Sequence, residues 1–405
     1  MFGVMEARRR RSLRSGGLAL LLFLLATPDA VRARDLVVAA TGEAALQQPM
    51  VVLGIGDRPT ASSRPSKNPL EDLVVDLPAV AILDTGASGH VLSHASATRF
   101  GVEAEPGSRH FEAGVNGDHA MGVSRALTLT ATDLEPDDDD DDAPRGRRSR
   151  ASTYRLASQR FLLNDAPTDP GALLLSPGAM VDVVGMPLIR ERVVEIMPGS
   201  GDEGAAVGVT VRLHPSAAGL SVDAWIPLAL TDFNRRDPRN RGPLPSLAEN
   251  PLVEGIRVER GADDAEGDWL LDTGAACSMI STAIGRALGL VDAAGTPTRR
   301  PEFTLPVGGI GGGHSNLPGF RLDRLVIVTD DGRDLVFERP AVVVHDISTT
   351  LDDGTKLTLD GILGMNLLLP SGTGMTMLGA ARQLPSPFAR IVIDARGERL
   401  GVKLR

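Results

Sequence analysis

Short apolar runs, separated by polar or glycine-rich segments, dominate the pattern along this chain. Four runs have the length and branched composition of strands, at residues 50–55, 80–83, 252–258 and 269–271. Helices are expected to be brief, such as those at residues 93–100 and 281–288. The pattern therefore predicts a mostly β fold with few short helices.

The chain also contains one long internal repeat. The tetrapeptide Asp-Thr-Gly-Ala occurs at residues 84–87 and again at residues 272–275, and the two copies continue without a gap to residues 102 and 290. The copies are 188 positions apart, which is far longer than a solenoid repeat. The repeated unit therefore has the size of a domain, and two related lobes are expected.

Two further pairs of segments recur in the same order. Residues 114–119 and residues 309–314 are glycine-rich and precede apolar runs, which predicts a β-hairpin in each half. Residues 183–188 match residues 362–367, and each segment has two apolar residues before a glycine. The repeat thus extends well beyond the Asp-Thr-Gly motif.

An acid directly after an apolar strand faces a desolvation cost unless other groups hold it. Asp84 and Asp272 both have this placement, and two such loops that meet about a pseudo-twofold axis bring the carboxylates together. Two carboxyl groups at such a short distance share one proton, because ionising both costs electrostatic free energy. The ionised member can activate a water while the protonated member donates to a carbonyl oxygen, which is the chemistry of amide hydrolysis.

These motifs resemble the pepsin-like and retropepsin-like aspartic proteases over about residues 48–403. The resemblance implies a bilobal double β-barrel with pseudo-twofold symmetry and a catalytic pair of Asp84 and Asp272. It implies that other residues support the two active-site loops or lie in strands beneath them: Thr85, Gly86, Thr273, Gly274, Gly185 and Gly364.

The sequence departs from the pepsin-like pattern at two points. Ala87 and Ala275 follow the two motifs as in retropepsins, and no tyrosine lies between Asp84 and Gly122. The chain is therefore interpreted as two fused retropepsin-like units. Because the two alanines remove hydroxyl donors that would lower a carboxyl pKa, activity is expected at mildly acidic pH, and an optimum below about pH 3 would count against this.

The hairpins supply the weaker site candidates, Gly117 with His119 and Gly313 with His314. The histidines occupy matching sequence positions, where they could contact substrate or sense pH, although exposed loop histidines are common. Cys277 is expected to be a small buried hydrophobe rather than a nucleophile. No cofactor and no metal are expected.

The N-terminus predicts export. Arginines at residues 8–11 precede an apolar run at residues 18–26 and a small-x-small site at residues 31–33, which is the plan of a signal peptide over residues 1–33. Secretion or a periplasmic location follows, and the general and twin-arginine routes both stay open. A run this short argues against a membrane anchor, and the formal charge of −10 argues against nucleic acid as a partner.

The expected organisation is an N-terminal lobe at residues 34–200, an interlobe segment at 201–250 and a C-terminal lobe at 251–405. Residues 135–150 contain six consecutive aspartates and then arginines, so a solvated disordered loop is expected there, with a calcium site as the weaker alternative. Residues 34–47 could also act as a propeptide. The internal pseudo-dimer predicts a monomer.

The leading function is therefore an aspartic endopeptidase that hydrolyses extended polypeptides. One alternative is a catalytically inactive bilobal protein of the same fold that binds peptides or inhibits another protein. A third is a structural scaffold associated with export. Retention of both Asp84 and Asp272 favours the enzyme, because a silent protein has no reason to keep both.

Overall fold

A computed structural model describes the part of the chain on which the fold and the site are built. It covers residues 35–39, 41–45, 48–56, 79–114, 117–133, 153–165, 182–198, 209–232, 239–309, 314–350, 356–369, 372–374, 382–384 and 386–405. The predicted signal peptide, the acidic segment at 135–150, part of the interlobe segment and Gly313 lie outside these residues.

The strands up to residue 231 include all those of the first repeat. They are β1 (Leu36–Val38), β2 (Met50–Ile55), β3 (Ala79–Leu83), β4 (Val91–Ser93), β5 (His110–Gly114), β6 (Gly117–Val123), β7 (Leu127–Asp133), β8 (Thr153–Gln159), β9 (Leu162–Asn164), β10 (Asp182–Val184), β11 (Val193–Pro198), β12 (Val209–His214), β13 (Ala224–Pro227) and β14 (Ala229–Thr231).

The strands of the second repeat complete the series. They are β15 (Asn250–Arg260), β16 (Asp263–Leu271), β17 (Ser278–Ile280), β18 (Phe303–Gly308), β19 (His314–Arg321), β20 (Arg324–Val328), β21 (Asp334–Glu338), β22 (Ala341–Val344), β23 (Ser348–Thr350), β24 (Lys356–Thr358), β25 (Gly361–Leu363), β26 (Gly372–Gly374), β27 (Arg382–Leu384), β28 (Phe388–Asp394) and β29 (Arg399–Leu404).

Two large sheets have the same strand order, which shows the internal duplication in the topology. In the described residues the first sheet runs β5-β6-β9-β4-β10-β3-β2-β7-β8. The second runs β18-β19-β22-β17-β25-β16-β15-β20-β21, with β1 added beside β21 and β14 paired to β15. Each strand of the first sheet thus has a counterpart in the second. The predicted mostly β fold with pseudo-twofold symmetry is confirmed.

A third sheet combines strands from the middle of the chain with two strands near its C-terminus, in the order β12-β11-β28-β29-β13. Strand β1 also crosses between the repeats, since it pairs in parallel with β21. Residues at the start of the predicted N-terminal lobe therefore lie in the sheet of the second repeat. Two small ladders, β23 with β24 and β26 with β27, complete the described strands.

The described helices are short, as the pattern predicts. They are α1 (His94–Phe100), α2 (Met186–Ile189), α3 (Thr282–Ala287) and α4 (Met365–Leu368). The hydroxyl of Ser93 caps α1 by accepting from Ser96 N–H at 3.2 Å, and Ser281 caps α3 in the same way. The two predicted longer helices are therefore confirmed to within a residue at each end. Within the described part of the chain, no helix has the length and apolar character needed to cross a membrane.

Candidate active site

Each aspartate stands directly after a buried strand that a second strand supports. Strand β3 ends at Leu83 and pairs in parallel with β10, and the N–H of Asp84 continues this ladder by donating to Val184 O at 3.0 Å. Strand β16 and β25 have the same relation, and the N–H of Asp272 donates to Leu363 O at 3.1 Å. The strand pairing therefore fixes the backbone position of each aspartate.

The two threonines join the loops to each other. Thr85 N–H donates to Thr273 Oγ1 at 3.1 Å, and Thr273 N–H donates to Thr85 Oγ1 at 3.0 Å. Each hydroxyl donates in turn to the strand of the opposite repeat, Thr85 to Leu271 O and Thr273 to Leu83 O, both at 2.6 Å. Both threonines are fully buried. These four bonds hold the loops at a fixed separation.

The motif glycines allow the carboxylates to meet. A Cβ atom on Gly86 would lie 2.5 Å from Asp272 Cγ, and a Cβ atom on Gly274 would collide with the carboxylate of Asp84. Any larger residue at either position would therefore push the loops apart. Asp84 and Asp272 are hydrogen-bonded through their side chains, and both remain partly exposed to solvent.

Backbone N–H groups of each loop also hold the carboxylates. Asp84 Oδ1 accepts from Gly86 N–H at 2.7 Å and from Ala87 N–H at 3.2 Å. Asp272 Oδ1 accepts from Gly274 N–H at 2.8 Å and from Ala275 N–H at 2.9 Å. These bonds favour the charged form of each carboxylate and compensate part of its desolvation.

The two carboxyl groups have perturbed acidities. Burial raises the pKa of Asp84, and the hydrogen bonds from Asp272 and the backbone oppose that rise. Burial raises the pKa of Asp272 well above its ordinary value, and the adjacent charge of Asp84 raises it further. Because both pKa values are raised and the groups are coupled, the pair can hold one proton between its members.

Gly185 and Gly364 pack against the backs of the loops. Each follows its strand directly and precedes a one-turn helix, so neither lies in a strand as the resemblance implied. A Cβ atom on Gly185 would lie 2.5 Å from Ala87 O, and one on Gly364 would lie 2.5 Å from Cys277 O. The absence of a side chain therefore lets the turns approach each other.

Two amides that the sequence interpretation did not single out also contact the loops. Asn250 is buried, and its Nδ2–H donates to Thr85 O at 3.0 Å. Gln48 donates from Nε2 to Gly274 O. No local motif marks these residues, because each bond joins positions that are far apart in sequence.

The predicted hairpins are formed by β5 with β6 and by β18 with β19. Met121 packs in the cluster that includes Ala87, and Leu317 packs in the cluster that includes Ala275. Each hairpin therefore lies beside the loop of its own repeat. Gly117 is exposed at the start of β6, with a positive φ of 97°.

The ladder register corrects the match between the two hairpin histidines. Val123 pairs with Leu162, and Gly319 pairs with the equivalent Val343. Counting back four residues from Val123 and Gly319 aligns His119 with Ser315 rather than with His314. The match by sequence was wrong by one residue, because only the strand pairing fixes the register. The side chain of His314 lies outside the described part of the chain.

The first hairpin carries ionisable residues that its counterpart lacks. His110 is fully buried, and its Nε2 lies 3.3 Å from Oε1 of Glu112. Glu112 pairs across the hairpin with His119, whereas the equivalent pair in the second hairpin is Val307 with Ser315. The two hairpins therefore differ chemically although they share a topology.

Cys277 and Trp269 both belong to the interior. Burial raises the pKa of the Cys277 thiol to about 12, so it stays neutral, and the prediction of a small buried hydrophobe is confirmed. Trp269 is fully buried and packs in the main core, so it does not line a cleft. Among the described residues, no group of three or more His, Cys, Asp or Glu side chains could hold a metal ion.

Comparisons with known proteins found likeness in structure alone. No family model matches the chain, and no curated protein matches it in sequence. An aspartic proteinase from Irpex lacteus is 11% identical, with a TM-score of 0.37, and covers 88% of this chain and 96% of its own. Basic 7S globulin from soybean is also 11% identical, with a TM-score of 0.38 and the same coverage. Likenesses at these scores say nothing about the chemistry of the site.

Proposed function

We propose that this protein is an aspartic endopeptidase in which Asp84 and Asp272 act as one catalytic unit on extended polypeptides. The observation that supports it most strongly is the hydrogen-bonded pair of partly exposed carboxyl groups, one from each repeat, with raised pKa values. A carboxyl pair of this kind supplies a base and an acid at the same pH.

In the proposed reaction Asp84 is the ionised member and Asp272 holds the shared proton, because burial and the adjacent charge of Asp84 raise the pKa of Asp272. Asp84 takes a proton from a water molecule as the water oxygen attacks the peptide carbonyl carbon. Asp272 donates its proton to the carbonyl oxygen, which gives a neutral tetrahedral diol. As the C–N bond breaks, Asp84 gives its proton to the nitrogen and Asp272 takes a proton back from one hydroxyl of the diol. A carboxylic acid and an amine then leave, and the pair again holds one proton.

The hairpins support an extended substrate. Each lies beside one loop through Met121 or Leu317, and the partly buried Ala87 and Ala275 leave little bulk next to the carboxylates. A polypeptide in extended conformation presents its amide groups to such strands at regular intervals. We also propose that residues 1–33 direct export, so that the enzyme acts in the periplasm or outside the cell.

The test is cleavage of a denatured protein mixture by the purified chain from pH 3 to pH 7, with and without pepstatin. Asp84→Asn and Asp272→Asn should each lower the rate at least about 1,000-fold, because each removes a proton-transfer group. Asp182→Asn is the matched control. Asp182 is also a buried acid with a raised pKa, but it accepts from Ser93 and Ser96 away from the loops.

Pepstatin-sensitive cleavage that survives only in wild type and Asp182→Asn is the expected result. If the wild type cuts nothing while all variants are folded, the protein is not a peptidase. A peptide-binding role for the same site would then take precedence.

A further inference from the structure

The amide side chains of Gln48 and Asn250 occupy equivalent positions in the two repeats. Met50 follows Gln48 by two residues and pairs with Ile82, which precedes Asp84 by two residues. In the same way Leu252 follows Asn250 by two residues and pairs with Leu270, which precedes Asp272 by two residues. Gln48 nevertheless contacts the loop of the second repeat, and Asn250 contacts the loop of the first. Each amide thus crosses to the loop of the other repeat, although the acceptors differ by one position, because Gly274 is the counterpart of Gly86 and not of Thr85.

The contact of Asn250 continues into the carboxylate of Asp84. Asn250 donates to Thr85 O, and the peptide group that contains this carbonyl also contains the N–H of Gly86. That N–H donates to Asp84 Oδ1 at 2.7 Å. At the far end, Asn250 Oδ1 accepts from Ser88 Oγ at 2.7 Å. Three hydrogen bonds thus follow one another from Ser88 to Asp84.

Gln48 forms a similar series in the second repeat, displaced by one residue along the loop. Its Nε2–H donates to Gly274 O, and the same peptide group contains the N–H of Ala275. That N–H donates to Asp272 Oδ1 at 2.9 Å. Gln48 is partly exposed, whereas Asn250 is only 1% exposed.

Hydrogen bonds in series through one peptide group strengthen each other, because a bond to the carbonyl oxygen polarises the N–H at the other side. A stronger N–H donor favours the charged carboxylate over the neutral acid. The same bonds restrict rotation of the peptide group and so keep the N–H directed at the carboxylate. Loss of the amide would weaken both effects.

We infer that Gln48 and Asn250 are positioning residues, which aim and polarise the backbone N–H groups that favour ionisation of Asp84 and Asp272. This inference rests on the proposed function for its catalytic consequence. The hydrogen-bond series and its effect on the acidity of the pair do not depend on the substrate.

Other ionisable groups near the loops bear on any pH measurement. They are His90, the Arg190 and Glu249 pair, His110 with Glu112, His119 and Cys277. His90 accepts from Gly185 N–H beneath the first loop, and burial lowers its pKa to about 4, so it titrates in the acidic range. The Cys277 thiol stays neutral throughout that range.

The test compares Gln48→Met and Asn250→Leu with wild type. Both changes keep the side-chain bulk and remove the donor, and the partly exposed position 48 tolerates an apolar residue more easily. The acidic limb of the kcat/KM profile should move up by about half a pH unit in each variant, with kcat lowered and KM little changed. Titration of the aspartate Cγ carbons by NMR should show the same upward shift without any substrate.

Thr329→Val is the control. Thr329 is a buried residue in the turn between β20 and β21, and its hydroxyl donates to Arg333 O at 2.8 Å. The change keeps the side-chain bulk and removes a buried donor that has no contact with either loop. This variant should lose stability without a shift of the limb or of the carboxyl titration. His90 is present in wild type and in every variant, so the effect of its titration cancels in the comparison.

Folded Gln48→Met with an unshifted carboxyl titration, or with a shift no larger than that of Thr329→Val, would overturn the inference. If the wild type hydrolyses no peptide, the proposed function fails, but the NMR titration still decides whether the amides set the acidity of the pair.

Discussion

At the scale of single residues, the two repeats satisfy the same backbone group with different chemistry. The N–H of Gly364 donates to Ser278 Oγ at 3.0 Å, and the N–H of Gly185 donates to His90 Nδ1 at 3.2 Å. A hydroxyl accepts this bond at any pH. An imidazole accepts it only while it is neutral, because imidazolium has no free lone pair. The first repeat is therefore sensitive to acid at a point where the second is not.

This difference predicts acid sensitivity of folding. Burial lowers the pKa of His90 from 6.5 to about 4, so the unfolded chain binds more protons than the folded chain between these values. The contribution of neutral, buried His90 to the free energy of unfolding is complete above pH 6.5 and is lost as the pH falls towards 4. The difference between these pKa values corresponds to about 3 kcal/mol.

His90→Gln keeps an acceptor without a titrating group, so its free energy of unfolding should fall less than that of wild type between pH 7 and pH 4. Denaturant unfolding at the two pH values measures this. The carboxyl pair is present in both proteins, and its own pH dependence cancels in the difference. Equal losses in the two proteins would contradict the assignment.

At the scale of elements, the turns from β10 into α2 and from β25 into α4 support the loops from behind. The N–H of Met186 donates to Ala87 O at 3.0 Å, and the N–H of Met365 donates to Ala275 O at 2.8 Å. The strand before each turn also extends the ladder that carries the aspartate. Small changes in these turns should therefore move the carboxylates.

Gly185→Ala and Gly364→Ala test this support. Each added Cβ would overlap a backbone carbonyl rather than a flexible side chain. The overlap should cost about 1–3 kcal/mol of stability. A displacement of the loop by about 1 Å should lower kcat about 100-fold.

Gly332→Ala is the control for these variants, since Gly332 has a positive φ of 78° but no atom within 4 Å of its Cβ position. It should lose about 1 kcal/mol through backbone strain alone and keep its activity. Thermal unfolding and peptide cleavage measure both effects. Full activity in folded Gly185→Ala would show that the turn does not support the loop.

The sequence predicts those parts of this arrangement that depend on local patterns. The apolar runs define the strands into Asp84 and Asp272, and Ser93 and Ser281 mark the starts of the two longer helices. Gln48 could not be identified in this way, because its partner Gly274 is 226 positions away. An amide donor becomes a site residue only when the tertiary fold brings a carbonyl to it.

The register and pairing of distant strands also escaped prediction. The sequence pattern matched His119 of the first repeat to His314 of the second, whereas the strand pairing makes Ser315 the counterpart of His119. Strand β1 was grouped with the first repeat by its position in the chain, yet it pairs with β21 at the edge of the second sheet. Parallel pairing across such a separation leaves no local signal in the sequence.

At the scale of the whole molecule, the site belongs to neither repeat alone. Each large sheet contains one strand that leads directly into a site aspartate. Hydrogen bonds between Thr85 and Thr273 join the two loops that follow these strands. The third sheet joins β11 to β13 with the last two strands of the chain. An activity that needs both carboxylates is therefore a property of the complete chain.

The most direct test of paired action is a double-mutant cycle on one peptide substrate. The specificity constant kcat/KM would be measured for wild type, Asp84→Asn, Asp272→Asn and the double variant, with folding checked by circular dichroism. Because the carboxyl groups share one proton, either single change should cost about as much as the double change, at least about 1,000-fold. Losses that multiply in the double variant, or a single variant that keeps most of the activity, would contradict paired catalysis.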